Sequence, residues 1–296
     1  MENTAYFLQQ IINGIQLGSV YAIIALGYTM VYGVLRMINF AHGDVFMLGA
    51  FFAYYLIEKF NMPIVPLIIL TVCGTAIVAY LIEKIAYKPL RKAPKISLLI
   101  TAVGVSLFLE YTLSLNIFFT PNYIGFPRPF EIKSYDFSLF SVTNIHIFIF
   151  LSTIISLALL YFLIYKTKQG KAMRAISHDQ ETAALMGINI DNIISFTFLI
   201  GGGLAGLGGI LYSIAYPQIN VFMGIMPGIK SFVAAVLGGI GIIHGAVLGG
   251  FIIGIAEVFV SAFLSSTLRD GVIFLLLFIF LLFRPNGLFG KRIDKV

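Results

Sequence analysis

Apolar runs of membrane-spanning length, separated by short polar breaks, fill almost the whole chain. A transmembrane helix needs roughly 20 mostly apolar residues. Runs of that kind cover 8–33, 43–60, 65–86, 97–118, 144–165, 191–216, 229–243, 245–264 and 269–284. They predict an all-α, polytopic integral membrane protein of eight or nine spans. The run at 229–243 is short for a crossing and reads as a re-entrant or tilted piece. One polar island stands out, KTKQGKAMRAISHDQETAALMGINID at 166–191. Ser177 with Gln180 three residues on has capping-box spacing and predicts the start of a short helix. Ala183, Ala184, Leu185 and Met186 continue it, and Gly187 is placed to end it. A short capped helix between two greasy segments reads either as a docking surface or as an ordinary ordered loop.

Composition supports the membrane reading. Of 296 residues, 59% are hydrophobic and only 11% are charged, against about 25% charged in soluble domains. The net charge of +6 is not a nucleic-acid signature, because cytoplasmic loops of membrane proteins collect Lys and Arg. The single cysteine, Cys73, lies in an apolar run, which excludes a disulfide framework or a cysteine metal site. The N-terminus MENTAYFLQQ has no basic n-region and no cleavable signal is expected. We read residues 1–296 as one transmembrane domain.

Charge also sets orientation. With the C-terminus inside, the inner loops hold Arg36, then Lys84, Lys88, Arg91, Lys92 and Lys95, then Lys166, Lys168, Lys171 and Arg174, then Arg284, Lys291, Arg292 and Lys295. Outside lie only Lys59, Arg128, Lys133 and Arg269, with Lys230 at a border. The positive-inside rule thus puts the N-terminus outside and the island in the cytoplasm. The external loop 119–143, with Pro121, Pro127 and Pro129 among aromatics, is expected to be ordered at the face where a delivered solute arrives, although a plain connection reads equally well.

Soluble-enzyme motifs fail on context. Gly201, Gly203 and Gly206 match G-x-G-x-x-G, but the match lies inside a span, with no strand before it. Gly201, Gly202, Gly203 and Gly206, and later Gly249, Gly250 and Gly254, are instead expected to let helices approach closely in lipid. Gly224, Gly228, Lys230 and Ser231 have the wrong spacing for a phosphate loop, so the chain holds no ATP site of its own. His42, His146, His178 and His244 are scattered, and no catalytic residue, metal site or cofactor is expected.

Charge within a span is costly and is paired or functional. Glu110 and Glu257 are candidates for a polar pathway, with a structural hydrogen bond to a neighbouring helix as the alternative. Arg36, Asn39, His42 and Asp44 crowd the stretch YGVLRMINFAHGD at 32–44, which reads as a broken or re-entrant segment. For Asp44, mutual hydrogen bonding within that turn is the first expectation. His244-Gly245 and the glycines after it weakly echo His42-Gly43, which suggests an internal repeat.

Four stretches together carry a resemblance. They are GYTMVYGVLRMINFAHGDVFMLGAF (27–51), GKAMRAISHDQETAALMGINIDNIISFTFLIGGGLAGLGGIL (170–211), AAVLGGIGIIHGAVLGGFIIG (234–254) and RPNGLFGKR (284–292). In order and spacing the chain resembles the LivH-type permease subunits of ATP-driven branched-chain amino-acid importers. The resemblance implies a bacterial or archaeal cytoplasmic (inner) membrane permease for leucine, isoleucine or valine. It implies a second, homologous permease, two cytoplasmic ATPase subunits and a periplasmic or lipid-anchored solute-binding protein. It also implies that Ser177, His178, Asp179, Glu181, Ala183, Ala184 and Gly187 form the ATPase-coupling surface. Glu181-Thr182-Ala183 with Gly187 parallels the E-A-A-x-x-x-G coupling pattern of such importers, Thr182 replacing the first alanine.

The wider family also carries urea, short amides and sugars, so the cargo is less specified than the machine. A stand-alone secondary transporter would need coupling-ion ligands at mid-membrane, where only Glu110 and Glu257 qualify. A membrane enzyme would need a polar cluster near the interface, and only 36–44 comes close. A purely structural scaffold leaves the polar island unexplained.

Overall fold

The computed structural model describes residues 2–91, 93–115 and 121–290. Lys92, Lys291, Arg292 and Lys295 of the inner basic set, and residues 119–120 of the external loop, lie outside them. Helices α1 (Glu2–Leu35), α2 (His42–Phe60), α3 (Ile64–Ile82), α4 (Lys95–Leu113) and α5 (Asn144–Lys166) are followed by two short ones, α6 (Lys168–His178) and α7 (Gln180–Leu185). Then come α8 (Ile190–Ala215), α9 (Ile225–Gly238), α10 (Ile243–Phe263) and α11 (Arg269–Phe283). In lipid every backbone group must be satisfied within the chain, which is why apolar runs of this length become helices.

Among the described residues, seven helices are long and apolar enough to cross a membrane. The two remaining apolar helices are α2 and α9. Helix α2 carries Asp44, Glu58 and Lys59. Helix α9 has 14 residues, or about 21 Å of rise against a hydrocarbon core of about 30 Å. Each is preceded by a non-helical stretch, 36–41 and 216–224. The break expected across 32–44 is thus confined to 36–41, with 32–35 in α1 and 42–44 in α2, and a second one precedes α9.

The ends of the helices define two faces. The C-terminal end of α1, the end of α3, α6, α7 and the start of α8 share the face that is rich in Lys and Arg. At the opposite face the described part of the external loop is ordered by short strands. β1 (Ile124–Gly125) pairs antiparallel with β4 (Gln218–Ile219), and β2 (Ser134–Phe137) pairs with β3 (Phe140–Thr143) in a hairpin. Gln9 of α1 clamps the hairpin through both backbone groups of Ser141, at 3.1 and 2.8 Å. The sequence reading expected order there and did not foresee the strands.

Packing follows an inverted pattern. Helix α1 packs on α10 as α8 packs on α3; α2 touches α3 and α8 as α9 touches α10 and α1; α4 meets α2 as α11 meets α9. Units α1–α4 and α8–α11 are thus repeats of opposite direction, an architecture common in transporters. The echo between His42-Gly43 and His244-Gly245 does not mark this repeat. It matches the start of α2 with the start of α10, whereas the topology pairs α2 with α9.

Glycine makes these crossings close. A Cβ on Gly250 would sit 2.6 Å from the Ala22 backbone, and one on Gly202 would lie 2.9 Å from Thr75 O. Gly206 abuts Thr75, Gly203 faces Val72, Gly201 faces Val31 and Gly27 O, Gly254 abuts Gly18, and Gly249 abuts Ala234 O. The glycine-rich run of α8 therefore touches α1, α2 and α3 at once.

Candidate functional site

The polar island folds as a helical hairpin on the basic face. Thr167 caps α6, its hydroxyl accepting from Gly170 N at 3.1 Å. Helix α6 is amphipathic, burying Gly170, Met173 and Ile176 and exposing Lys168, Lys171 and Arg174. Helix α7 starts at a different cap from the one expected. Ser177 lies inside α6 and bonds back to Arg174 O at 2.8 Å. The cap is Asp179, whose carboxylate accepts from Glu181 N at 3.0 Å and from the Thr182 hydroxyl. Those hydrogen bonds, the Thr182 side chain first, hold the Asp179 carboxyl below its ordinary range. Gly187 ends the helix as expected, at φ +81°. Gly187 N bonds Ala184 O and Ile188 N bonds Ala183 O, the paired bonds of a Schellman ending.

Only Ala183 of α7 is buried. His178, Asp179, Glu181 and Ala184 face outward, and so do Leu185 and Met186, at 87% and 79% exposure. Both are among the most exposed large apolar side chains of the described residues. The sequence reading named both as helix formers and missed them as surface; a register argument from the buried Ala183 finds them.

The loop is clasped to α1. Arg36 has left-handed backbone, φ +52°, and its guanidinium donates to Ser177 O at 2.7 Å and His178 O at 3.2 Å. It thus satisfies the orphan carbonyls and the negative end of α6. Gln180 returns the favour, donating to Val34 O at 3.2 Å at the end of α1. The far end of the island is tied to the segment that follows α3. Lys88 and Arg91 pair with Asp191, at 2.8 and 2.5 Å. Arg91 also pairs with Glu83, which is fully buried and accepts from Ser195 of α8 at 2.6 Å.

The polar residues of 36–44 do not bond to one another as side chains, contrary to expectation for Asp44. Each reaches a different helix. A π-helical stretch, Glu83–Tyr87, turns Tyr87 inward, and its hydroxyl donates to Asn39 Oδ1 at 2.7 Å. The His42 ring lies 4.4 Å from that of Tyr28 and against Gly27, where any side chain would strike it. Asp44 faces Ser106 and Glu110 of α4. Helices α2 and α9 begin against each other, Gly43 on Gly224 and Gly228, with no room for a Cβ between them. Because His42 sits beside Gly27, this junction lies roughly 12 Å inside the end of α1.

Glu257 belongs elsewhere. It accepts from Tyr21 at 2.8 Å and from Lys230 at 2.7 Å, with Arg269 at 3.2 Å. Lys230 also pairs with Asp270 at 2.6 Å. Lys230 is 2% exposed, so this cluster is a closed set of counter-charges joining α1, α9, α10 and α11. Lys230 was left at a border by the sequence, because the shortness of α9 hid its depth. Among the described residues no group of three His, Cys, Asp or Glu is placed to hold a metal ion.

A broken-helix junction inside a bundle of inverted repeats, with an exposed capped hairpin on the basic face, is the geometry of a transport subunit. The family described as "Branched-chain amino acid transport system / permease component" matches residues 10–282. The chain belongs to this permease family. It is 40% identical to the high-affinity branched-chain amino acid transport system permease protein LivH of Escherichia coli K12, over 100% of this chain and 99% of that one. It is also 40% identical to BraD of Pseudomonas aeruginosa, another high-affinity branched-chain amino acid permease protein, with both chains fully covered. The autoinducer 2 import system permease protein LsrC of Yersinia enterocolitica is 33% identical over 42% of this chain and 36% of its own. The permease is therefore a multi-pass protein of the cytoplasmic membrane and a transporter component, not an enzyme by family.

Proposed function

We propose that the chain is the transmembrane permease subunit of an ATP-driven importer of leucine, isoleucine and valine. Residues 1–296 form one permease domain that builds the translocation pathway with a second, homologous permease. Two cytoplasmic ATPase subunits hydrolyse the ATP, and a periplasmic or lipid-anchored binding protein delivers cargo to the face bearing the 119–143 loop. The 166–191 loop is the coupling element. The observation that carries this reading is the exposed tip of α7, Leu185 and Met186 beside Glu181, on a helix fixed at both ends and clasped to α1. An apolar tip with a charged rim fits a groove on a partner. Movement of the ATPases displaces α7, and the Arg36 and Gln180 bonds pass that displacement to α1.

The test is co-purification with the candidate ATPases, followed by ATP-dependent uptake of leucine, urea and ribose in vesicles carrying the binding protein. Leucine uptake is expected in the parent. Glu181→Arg and Leu185→Glu are expected to keep the fold and abolish uptake. Normal leucine uptake by both variants would sink the coupling assignment. Uptake of urea or ribose instead would move the cargo to another branch of the family. Uptake that persists without ATPases and collapses with the proton gradient would favour a secondary transporter.

A further inference from the structure

The junction of α2 and α9 borders a partly open cavity of about 230 Å³ that α1 and α4 also line. Asp44, Ser106 and Glu110 line it with Tyr28, Gly224 and Gly228, and the rest of its wall is apolar. The two carboxyl groups are almost fully buried, at 2% and 4% exposure. None of the lining residues is basic. The contrast with Glu257 is informative, since that carboxylate is matched by Lys230 and Arg269. The Asp44 and Glu110 carboxyls and the Ser106 hydroxyl face one another across the cavity, and Asp44 Oδ2 is left with hydrogen-bonding capacity to spare. Buried acids without a counter-charge inside a membrane protein are costly and mark a ligand or a relay.

We propose that this cavity is an intramembrane station for the primary ammonium group of an amino-acid cargo, gripped by Asp44, Glu110 and Ser106. The assignment rests on the function proposed above. An ammonium has three N–H donors, and the site offers two carboxylates and a hydroxyl. A metal ion is a poorer fit, because the cluster has too few ligands. The apolar remainder of the wall suits a branched aliphatic side chain. The N-terminal end of α9, the positive end of its dipole, borders the same cavity and suits the cargo carboxylate. The competing account is structural: Asp44 merely neutralises the facing starts of α2 and α9.

The complete transporter, reconstituted with its ATPases, partner permease and binding protein, separates these accounts. Asp44→Asn, Glu110→Gln and the double variant are assayed for leucine uptake, for ATP hydrolysis stimulated by loaded binding protein, and for thermal stability. Uptake is expected to fall about tenfold or more in each single variant, the size of one charge-assisted hydrogen bond lost, and further in the double. Stimulated hydrolysis is expected to persist, and thermal stability to hold or rise, since neutralising a buried acid without a counter-charge removes a cost. Radiolabelled leucine bound to the binding-protein-free complex should be displaced by 3-methylbutylamine, and neither by 4-methylpentanoate nor by sodium chloride. Parent-level uptake in a stable double variant would overturn the station. So would equal loss of uptake and stability, which assigns Asp44 and Glu110 to the fold, and so would displacement by sodium ion, which assigns the site to an inorganic cation. A parent complex that takes up no leucine would overturn the function reading itself, with this assignment.

Discussion

Replacing Arg36 by Ala tests the clasp between α1 and the 166–191 hairpin. The side chain makes two hydrogen bonds to the last carbonyls of α6, at 2.7 and 3.2 Å. Hydrogen bonds to a charged group contribute about 1.5–3 kcal/mol each when shielded. Arg36 is exposed, so solvent screening reduces this, and a charge at a helix end contributes about 0.3–1 kcal/mol at the surface. The net loss works out at about 1–2 kcal/mol. Alanine keeps the left-handed backbone at φ +52°, a conformation costing roughly 1–2 kcal/mol for any residue but glycine. Strain therefore does not offset the loss, and Arg36→Gly serves as the control in which it does. A loss of 1–2 kcal/mol shifts the docked-to-undocked ratio of the hairpin by about five- to thirtyfold. The assay is hydrogen exchange of the intact permease in detergent. Peptides covering 175–187 should lose protection by that factor, and those covering α8 beyond Asp191 should not, since Lys88 and Arg91 hold that end separately. Arg36→Lys should recover part of it, having the charge without the fork. Unchanged protection in Arg36→Ala would refute the clasp.

Two other outcomes follow from named contacts. Lys230→Met leaves Glu257 and Asp270 to share the single, half-exposed Arg269; breaking a buried pair costs about 3–5 kcal/mol, and thermal unfolding in detergent should drop sharply, with partial recovery in Lys230→Met combined with Glu257→Gln. The Asp179 cap should be acid-sensitive. Its carboxyl is held below the ordinary value of 3.8, so its stabilisation is full above that value and is lost as pH falls through the lower, folded one. A spin label at position 184, introduced with Cys73→Ser, should become mobile only below 3.8, whereas with Asp179→Ala, which removes the capping oxygen, it should be mobile at every pH.

The apolar segments were legible because lipid leaves the chain few choices. A run of about twenty apolar residues has to become a helix, and its ends are set by polar breaks. The island was legible as a short helix ended by Gly187, because a glycine after a helical stretch supplies the left-handed residue at no steric cost. Its start was not, since Ser177 and Asp179 are both good capping residues and the choice was made by α6. That helix extends through Ser177 because Met173 and Ile176 bury against the spans. Asp44 was misread for a related reason: Ser106 and Glu110 lie more than sixty positions away, and local spacing favours near neighbours. Inverted repeats escape a residue-by-residue search because they share helix order and crossing pattern rather than side chains. Hence the His42 and His244 echo pointed at helices that the topology does not relate.

Helix α1 is where these features converge. Its outer part holds Glu257 through Tyr21, its middle contacts His42 through Gly27 and borders the carboxylate cavity through Tyr28, and its end carries Val34 and Arg36 against the hairpin. Glycine contacts with α10 leave no slack along its outer half. A packed helix of this kind moves as a body rather than bending locally, because close-packed interfaces resist continuous deformation. The non-helical stretch 36–41 directly after it is the first place where the chain can absorb such a shift, and α2 begins there. On the function proposed above, displacement at the hairpin and rearrangement at the α2–α9 junction would be two ends of one rigid element. A proline at Ile24, where the ring would break the helix between Tyr21 and Gly27, should leave the hairpin able to bind its partner while disconnecting it from the junction.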